Sequence, residues 1–216
     1  MPQIVHRRRA IILFEGPDGS GKKPALRELA AAFDPCHYAV HATRRDRREA
    51  AEGHWLARFW RKLPAAGHTS IFYRSWYRRV LDERMQGHVD DNALSRAFDE
   101  INEFEARQRD YGTLIVKLYF DVSPDVQEAR LKERSADPWW RMIRSDPAVR
   151  VGEPGYAEAL KDLRKNTDTR WSPWRIIDGN DLAAATHSAL KAIADAWSEA
   201  MPAEPPHLAD ASGRAA

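Results

Sequence analysis

A single cysteine in 216 residues, Cys36, rules out a disulfide framework and a cysteine-built zinc site. Long hydrophobic runs are missing too. The clean apolar stretch nearest the start, residues 10–14, ends at Glu15. It is too short for a signal-peptide core or a membrane span, even with Arg7, Arg8 and Arg9 before it. Charge of one sign is scarce: 34 Lys+Arg against 32 Asp+Glu leaves +2, without the basic excess of a dedicated nucleic-acid module. The histidines lack metal-ligand spacing, and no repeat recurs along the chain. With 43% apolar and 31% charged residues the chain is outside the disordered range. The expectation is one cytoplasmic domain, with neither nucleic acid nor membrane among its partners.

Short apolar runs at 10–14, 38–41, 70–73, 114–120 and 174–177 alternate with amphipathic stretches at 25–33, 55–63 and 91–109. In the last of these Leu94, Phe98, Ile101 and Phe104 recur at helical spacing, with Asp91 as the candidate N-cap. Strands of buried type alternating with helices indicate a three-layer α/β/α domain around a parallel sheet. The domain is expected over 1–200. Residues 201–216, with Pro202, Pro205 and Pro206 among small and polar residues, read as a mobile tail.

The most informative segment follows the first apolar run. Gly16-Pro17-Asp18-Gly19-Ser20-Gly21-Lys22 has the spacing G-x-x-x-x-G-K between a predicted strand and a predicted helix starting at Lys22. Gly16, Gly19 and Gly21 let the backbone curl so that successive N–H groups face one concavity. The helix N-terminus and Lys22 add positive charge. Gly16, Gly19, Ser20, Gly21, Lys22 and Lys23 are therefore candidate phosphate binders; the bland alternative is a glycine-rich turn with an incidental lysine. The hydroxyl that usually follows the lysine and binds Mg²⁺ is replaced by Lys23, and Pro24 fits the first helical turn. Asp18 is left as the candidate metal ligand.

Several blocks in order resemble the second family of polyphosphate kinases. They are FEGPDGSGK at 14–22, FWRKLPAAG at 59–67, RSWYRRVLDER at 74–84, EINEFE at 100–105, the stretch 112–138, and SPWRIIDGND at 172–181. The resemblance implies a P-loop kinase-like fold with a helical lid at about 123–165. It implies phosphoryl transfer between inorganic polyphosphate and a nucleotide with Mg²⁺, and a homo-oligomer. It assigns catalytic roles to Asp18, Lys22, Arg74, Glu83, Arg130 and Arg134. Three departures matter. Tyr73 stands where the family has a strand-end aspartate that works with magnesium, Arg78 replaces an asparagine, and the lid segment from Trp139 to Arg144 carries arginines but no lysine. This chain resembles the degenerate half of tandem members, so weakened turnover is expected.

Other residues admit two readings. Arg130 and Arg134, four apart, would face one anion from a helix, or be solvated. Asp82 reads as a surface helix charge. Arg44, Arg45, Arg47 and Arg48 would line a polyanion groove or form a solvated face. Trp139 and Trp140 would stack a base or pack the lid. The competing functions are a catalytically inactive polyphosphate- or nucleotide-binding homologue and a thymidylate-kinase-like ATP-dependent nucleotide kinase.

Overall fold

The computed structural model describes residues 2–43, 53–143 and 149–205. The basic run at 44–48, Arg144 and the end of the tail, 206–216, lie outside the described residues. Five strands form one sheet: β1 (Arg9–Glu15), β2 (Tyr38–Ala42), β3 (Thr69–Tyr73), β4 (Thr113–Asp121) and β5 (Trp174–Asp178), in the order β2-β3-β1-β4-β5. Every pairing is parallel, and β1 lies at the centre with Ile12 opposite Ile71 on one side and Val116 on the other.

A central parallel strand is covered on both faces, which is why β1 reads as an unbroken apolar run rather than an alternating one. Its residues split between two cores. Ile11 and Leu13 join Phe72, Ile115 and Tyr119 beneath α2 (Asp91–Asp110) and α4 (Tyr156–Thr167). Ile12 and Phe14 join Ile71, Leu118 and Phe120 beneath α1 (Lys22–Ala32) and α5 (Leu182–Ala200). Helices on both faces give the expected three layers. The remaining long helix, α3 (Pro124–Ala136), leaves the carboxyl end of β4.

Two local expectations need correction. Only Ala57–Trp60 of the stretch 55–63 is helical; Pro64 disfavours helical backbone at Leu63, which opposes a helix running to that end. The N-cap of α2 is Asp90, not Asp91. Asp90 is extended, and its side chain accepts from the Ala93 N–H at 2.7 Å, while Asp91 opens the helix and complements its dipole.

Candidate functional site at the carboxyl edge of the sheet

The carboxyl ends of parallel strands are where loops can converge on a ligand. Here the turns after β1, β3, β4 and β5 meet. Gly16, Gly19 and Gly21 all have positive φ, of 126°, 89° and 93°. A side chain at Gly16 would also place its Cβ 2.4 Å from the Phe120 carbonyl oxygen. The loop therefore needs glycine there for both conformation and space.

Lys22 folds back over this loop. Its ammonium donates to the Gly16 carbonyl, to the Pro17 carbonyl at 2.7 Å and to Ser20 Oγ at 3.3 Å. It also lies 5.5 Å from the centre of the Tyr73 ring. The side chain is almost wholly buried, and that burial, followed by repulsion from Arg74, pulls its pKa down to about 8. Behind it, the buried Glu15 carboxylate accepts from the N–H and hydroxyl of Ser75, both at 2.6 Å. Burial outweighs those bonds and pushes Glu15 up to about 7.

Arg74 leaves β3 with φ of 62°, an unusual conformation for a non-glycine residue, tied by its N–H to the Phe14 carbonyl at 3.0 Å. Its guanidinium reaches Asp18 at 2.8 Å and Asp82 at 3.4 Å. Burial alone would lower its pKa, but Asp82 and Asp18 outweigh burial and hold it above the ordinary value. Asp82 is only 5% exposed and also faces Arg78 Nε at 3.9 Å. That corrects its reading as a surface charge: the turn at Trp76–Arg79 carries the following Asp82 back under Arg74.

The remaining expected residues are more dispersed. Glu83 pairs with Arg79 at 3.3 Å and approaches Arg58 at 4.0 Å. Arg130 and Arg134 have different partners. Arg130 binds the carbonyls of Gly19, Gly179 and Asn180 at 2.9, 2.6 and 2.7 Å, stitching the phosphate loop to the end of β5. Arg134 and Lys23 flank the ring of Trp140, at 5.4 and 5.1 Å from its centre. Trp140 thus packs against two cations of the candidate site.

Two supporting residues escaped the sequence reading. Gln127 on α3 donates to the Asp18 and Val149 carbonyls and accepts from Val151 N–H, all within 3.0 Å. Gly179 sits so close to the loop that a Cβ there would be 2.2 Å from the Ser20 carbonyl. The partners of both are distant in sequence, so no local pattern marks them. Glu15 did carry a signal, as a carboxylate closing a buried apolar strand.

A magnesium ion requires near-octahedral oxygen ligation, usually with one or two protein carboxylates. The residues here do not fit a preformed site of that kind. Asp18 and Asp82 are both ion-paired with Arg74, Lys23 replaces the loop hydroxyl, and Tyr73 contributes a phenol whose pKa burial and Asp18 raise. Among the described residues, no group of three or more His, Cys, Asp or Glu side chains could hold a metal.

The family model described as Polyphosphate kinase 2 matches residues 3–205. The chain belongs to the polyphosphate kinase 2 family. It is 35% identical over 193 residues to a polyphosphate:AMP phosphotransferase of Pseudomonas syringae pv. tomato, covering 88% of this chain and 39% of that relative. It is 28% identical over 184 residues to ADP-polyphosphate phosphotransferase 2 of Rhizobium meliloti, covering 84% of this chain and 60% of the relative. The crystal structure of polyphosphate kinase 2 from Arthrobacter aurescens TC1 superposes with a TM-score of 0.81 at 26% identity, over 98% of this chain and 78% of that one. The chain thus spans less than two thirds of the length of either curated relative. Within the polyphosphate kinase 2 family, the loop, Arg74 and the end of β5 are here brought to one edge of the sheet, with Tyr73 beside Lys22.

Proposed function

We propose that this protein is a polyphosphate–nucleotide phosphotransferase whose turnover is weak. The observation that carries the reading is Lys22, buried at the mouth of the glycine loop with its ammonium 5.5 Å from the centre of the Tyr73 ring. In the reaction, a terminal oxygen of a nucleoside mono- or diphosphate attacks the end phosphorus of polyphosphate. A new P–O bond forms, the phosphoanhydride bond breaks, and the shortened chain leaves with the electron pair. Such transfers depend on positioned oxygens and positive charge more than on covalent help from protein. Lys22 and the loop N–H groups would hold the chain, and Arg74 would face the transferring group. Arg134 and Lys23 would approach the chain from the lid side.

Asp18 would be the one loop carboxylate to hold magnesium, which would offset charge on the phosphate chain, and that carboxylate is already engaged by Arg74. A metal partner even one shell removed is worth about 10–100-fold in activity, so the Tyr73 substitution predicts turnover well below that of relatives with aspartate there. An inactive polyphosphate-binding homologue is the limiting case of the same reading. The test is product formation from long-chain polyphosphate and Mg²⁺ with each common nucleoside mono- and diphosphate. Slow but measurable transfer supports the proposal, and turnover only with a nucleoside triphosphate donor contradicts it. Among the described residues no helix is long and apolar enough to cross a membrane; we keep the cytoplasm as the expected location.

A further inference from the structure

Asp82 pairs with Arg74 at its left-handed turn, and Arg78 pairs in turn with Asp82. They extend the ion pairs of Arg74 into an alternating row: Asp18, Arg74 at 2.8 Å, Asp82 at 3.4 Å, then Arg78 at 3.9 Å. Arg78 is nearly inaccessible and donates to the Thr43 carbonyl at 3.4 Å, so the inner end of the row is anchored in the protein. Asp82 is buried beside it. Asp18, at the outer end, is the most exposed member of the Arg74 pairs, and it belongs to the phosphate loop itself.

We propose that Arg74 is a fixed cation that lets the loop bind a linear phosphate chain without a divalent metal. Asp82 keeps the guanidinium in place through Nη1. Asp18 covers Nη2 until phosphate oxygens replace it. A guanidinium offers planar, bidentate donors matched to phosphate and cannot be deprotonated at working pH. Unlike a bound metal ion, it is present at every metal concentration. The consequence is a division of labour: chain binding is independent of metal, while any transfer chemistry is limited by the weak hold on magnesium. The inference rests on the loop being the phosphate-chain site proposed above.

The experiment measures tripolyphosphate binding by calorimetry at low salt, for wild type and Asp18→Asn, with EDTA or with Mg²⁺. Wild-type affinity in EDTA should equal or exceed that with Mg²⁺, because magnesium only reduces the charge of the free anion. Asp18→Asn should bind about three- to tenfold tighter in EDTA, since it removes the carboxylate that competes for Arg74. Wild-type binding that is tenfold or more tighter with Mg²⁺, or an Asp18→Asn variant that binds more weakly in both buffers, would overturn the fixed-cation proposal while leaving the loop assignment intact. No wild-type binding in either buffer would instead overturn the loop assignment, and this inference with it.

Discussion

Glu15 accepts two 2.6 Å hydrogen bonds from Ser75, one from its N–H and one from its hydroxyl, joining the last residue of β1 to the turn after β3. The bond geometry suits a carboxylate, yet burial raises its pKa from 4.5 to about 7. The folded protein therefore binds this proton more tightly than the unfolded chain. Its contribution to stability is fully present below pH 4.5 and is lost as pH rises through 7. Glu15→Gln keeps an acceptor for Ser75 without the buried charge. The variant should melt near the wild-type temperature at pH 4.5 and above it at pH 8, by at most about 3 kcal/mol of stability. A variant less stable than wild type at pH 8 would show that the charge itself is needed there.

The Lys22 ammonium, held at about pKa 8 by burial and by Arg74, should make anion binding pH-dependent. Only the protonated form attracts a phosphate chain, so affinity for tripolyphosphate should fall as pH rises through 8. Lys22→Ala should weaken binding about 10–100-fold at pH 7, from loss of a charge-assisted bond. The loss should shrink as salt rises. Equal affinities for wild type and variant at low salt would mean that the loop does not hold the chain.

Gly179→Ala tests the close approach of β5 to the loop. Its new Cβ would meet the Ser20 and Asp121 carbonyl oxygens at 2.2 and 2.6 Å, both backbone atoms that cannot swing away. We expect a loss of about 1–3 kcal/mol in stability, as for other overpacked sites, with weaker tripolyphosphate binding. Unchanged melting and unchanged binding would show that the loop yields freely at this point.

Much of this architecture was legible in the sequence. The uninterrupted apolar run of β1, the glycine spacing after it and the helix beginning at Lys22 depend on local pattern, and the structure has them in that arrangement. What escaped depends on contacts across the fold. Asp82 looks like one more charge on an acidic and basic helix until the turn at Trp76–Arg79 carries it under Arg74. The pairing of Arg130 with three carbonyls is equally invisible, because two of its partners lie about fifty residues further on and the third on the phosphate loop. The N-cap of α2 shifted by one residue because Asp90 and Asp91 are both suitable, and only backbone conformation distinguishes them.

The buried pair of Lys117 and Glu105 supports the same turn from beneath. Lys117 Nζ lies 3.1 Å from Glu105 and donates to the Thr167 carbonyl at 2.7 Å, while Glu105 accepts from Trp76 Nε1 and Tyr77 Oη at 2.9 and 2.7 Å. Lys117→Met should cost about 3–5 kcal/mol, because it leaves a buried carboxylate without its cation. Adding Glu105→Gln, which removes that charge but keeps an acceptor, should recover part of the loss in thermal melts. A double variant less stable than Lys117→Met alone would show that the carboxylate is held by Trp76 and Tyr77 rather than by the lysine.

The most direct test of the functional proposal compares wild type with Tyr73→Asp in polyphosphate-dependent phosphorylation of nucleotides, over a Mg²⁺ titration. Restoring a strand-end carboxylate beside Lys22 should lower the Mg²⁺ concentration needed and raise turnover about 10-fold or more. Robust wild-type turnover, with Tyr73→Asp no faster at any Mg²⁺ concentration, would contradict the role given to Tyr73.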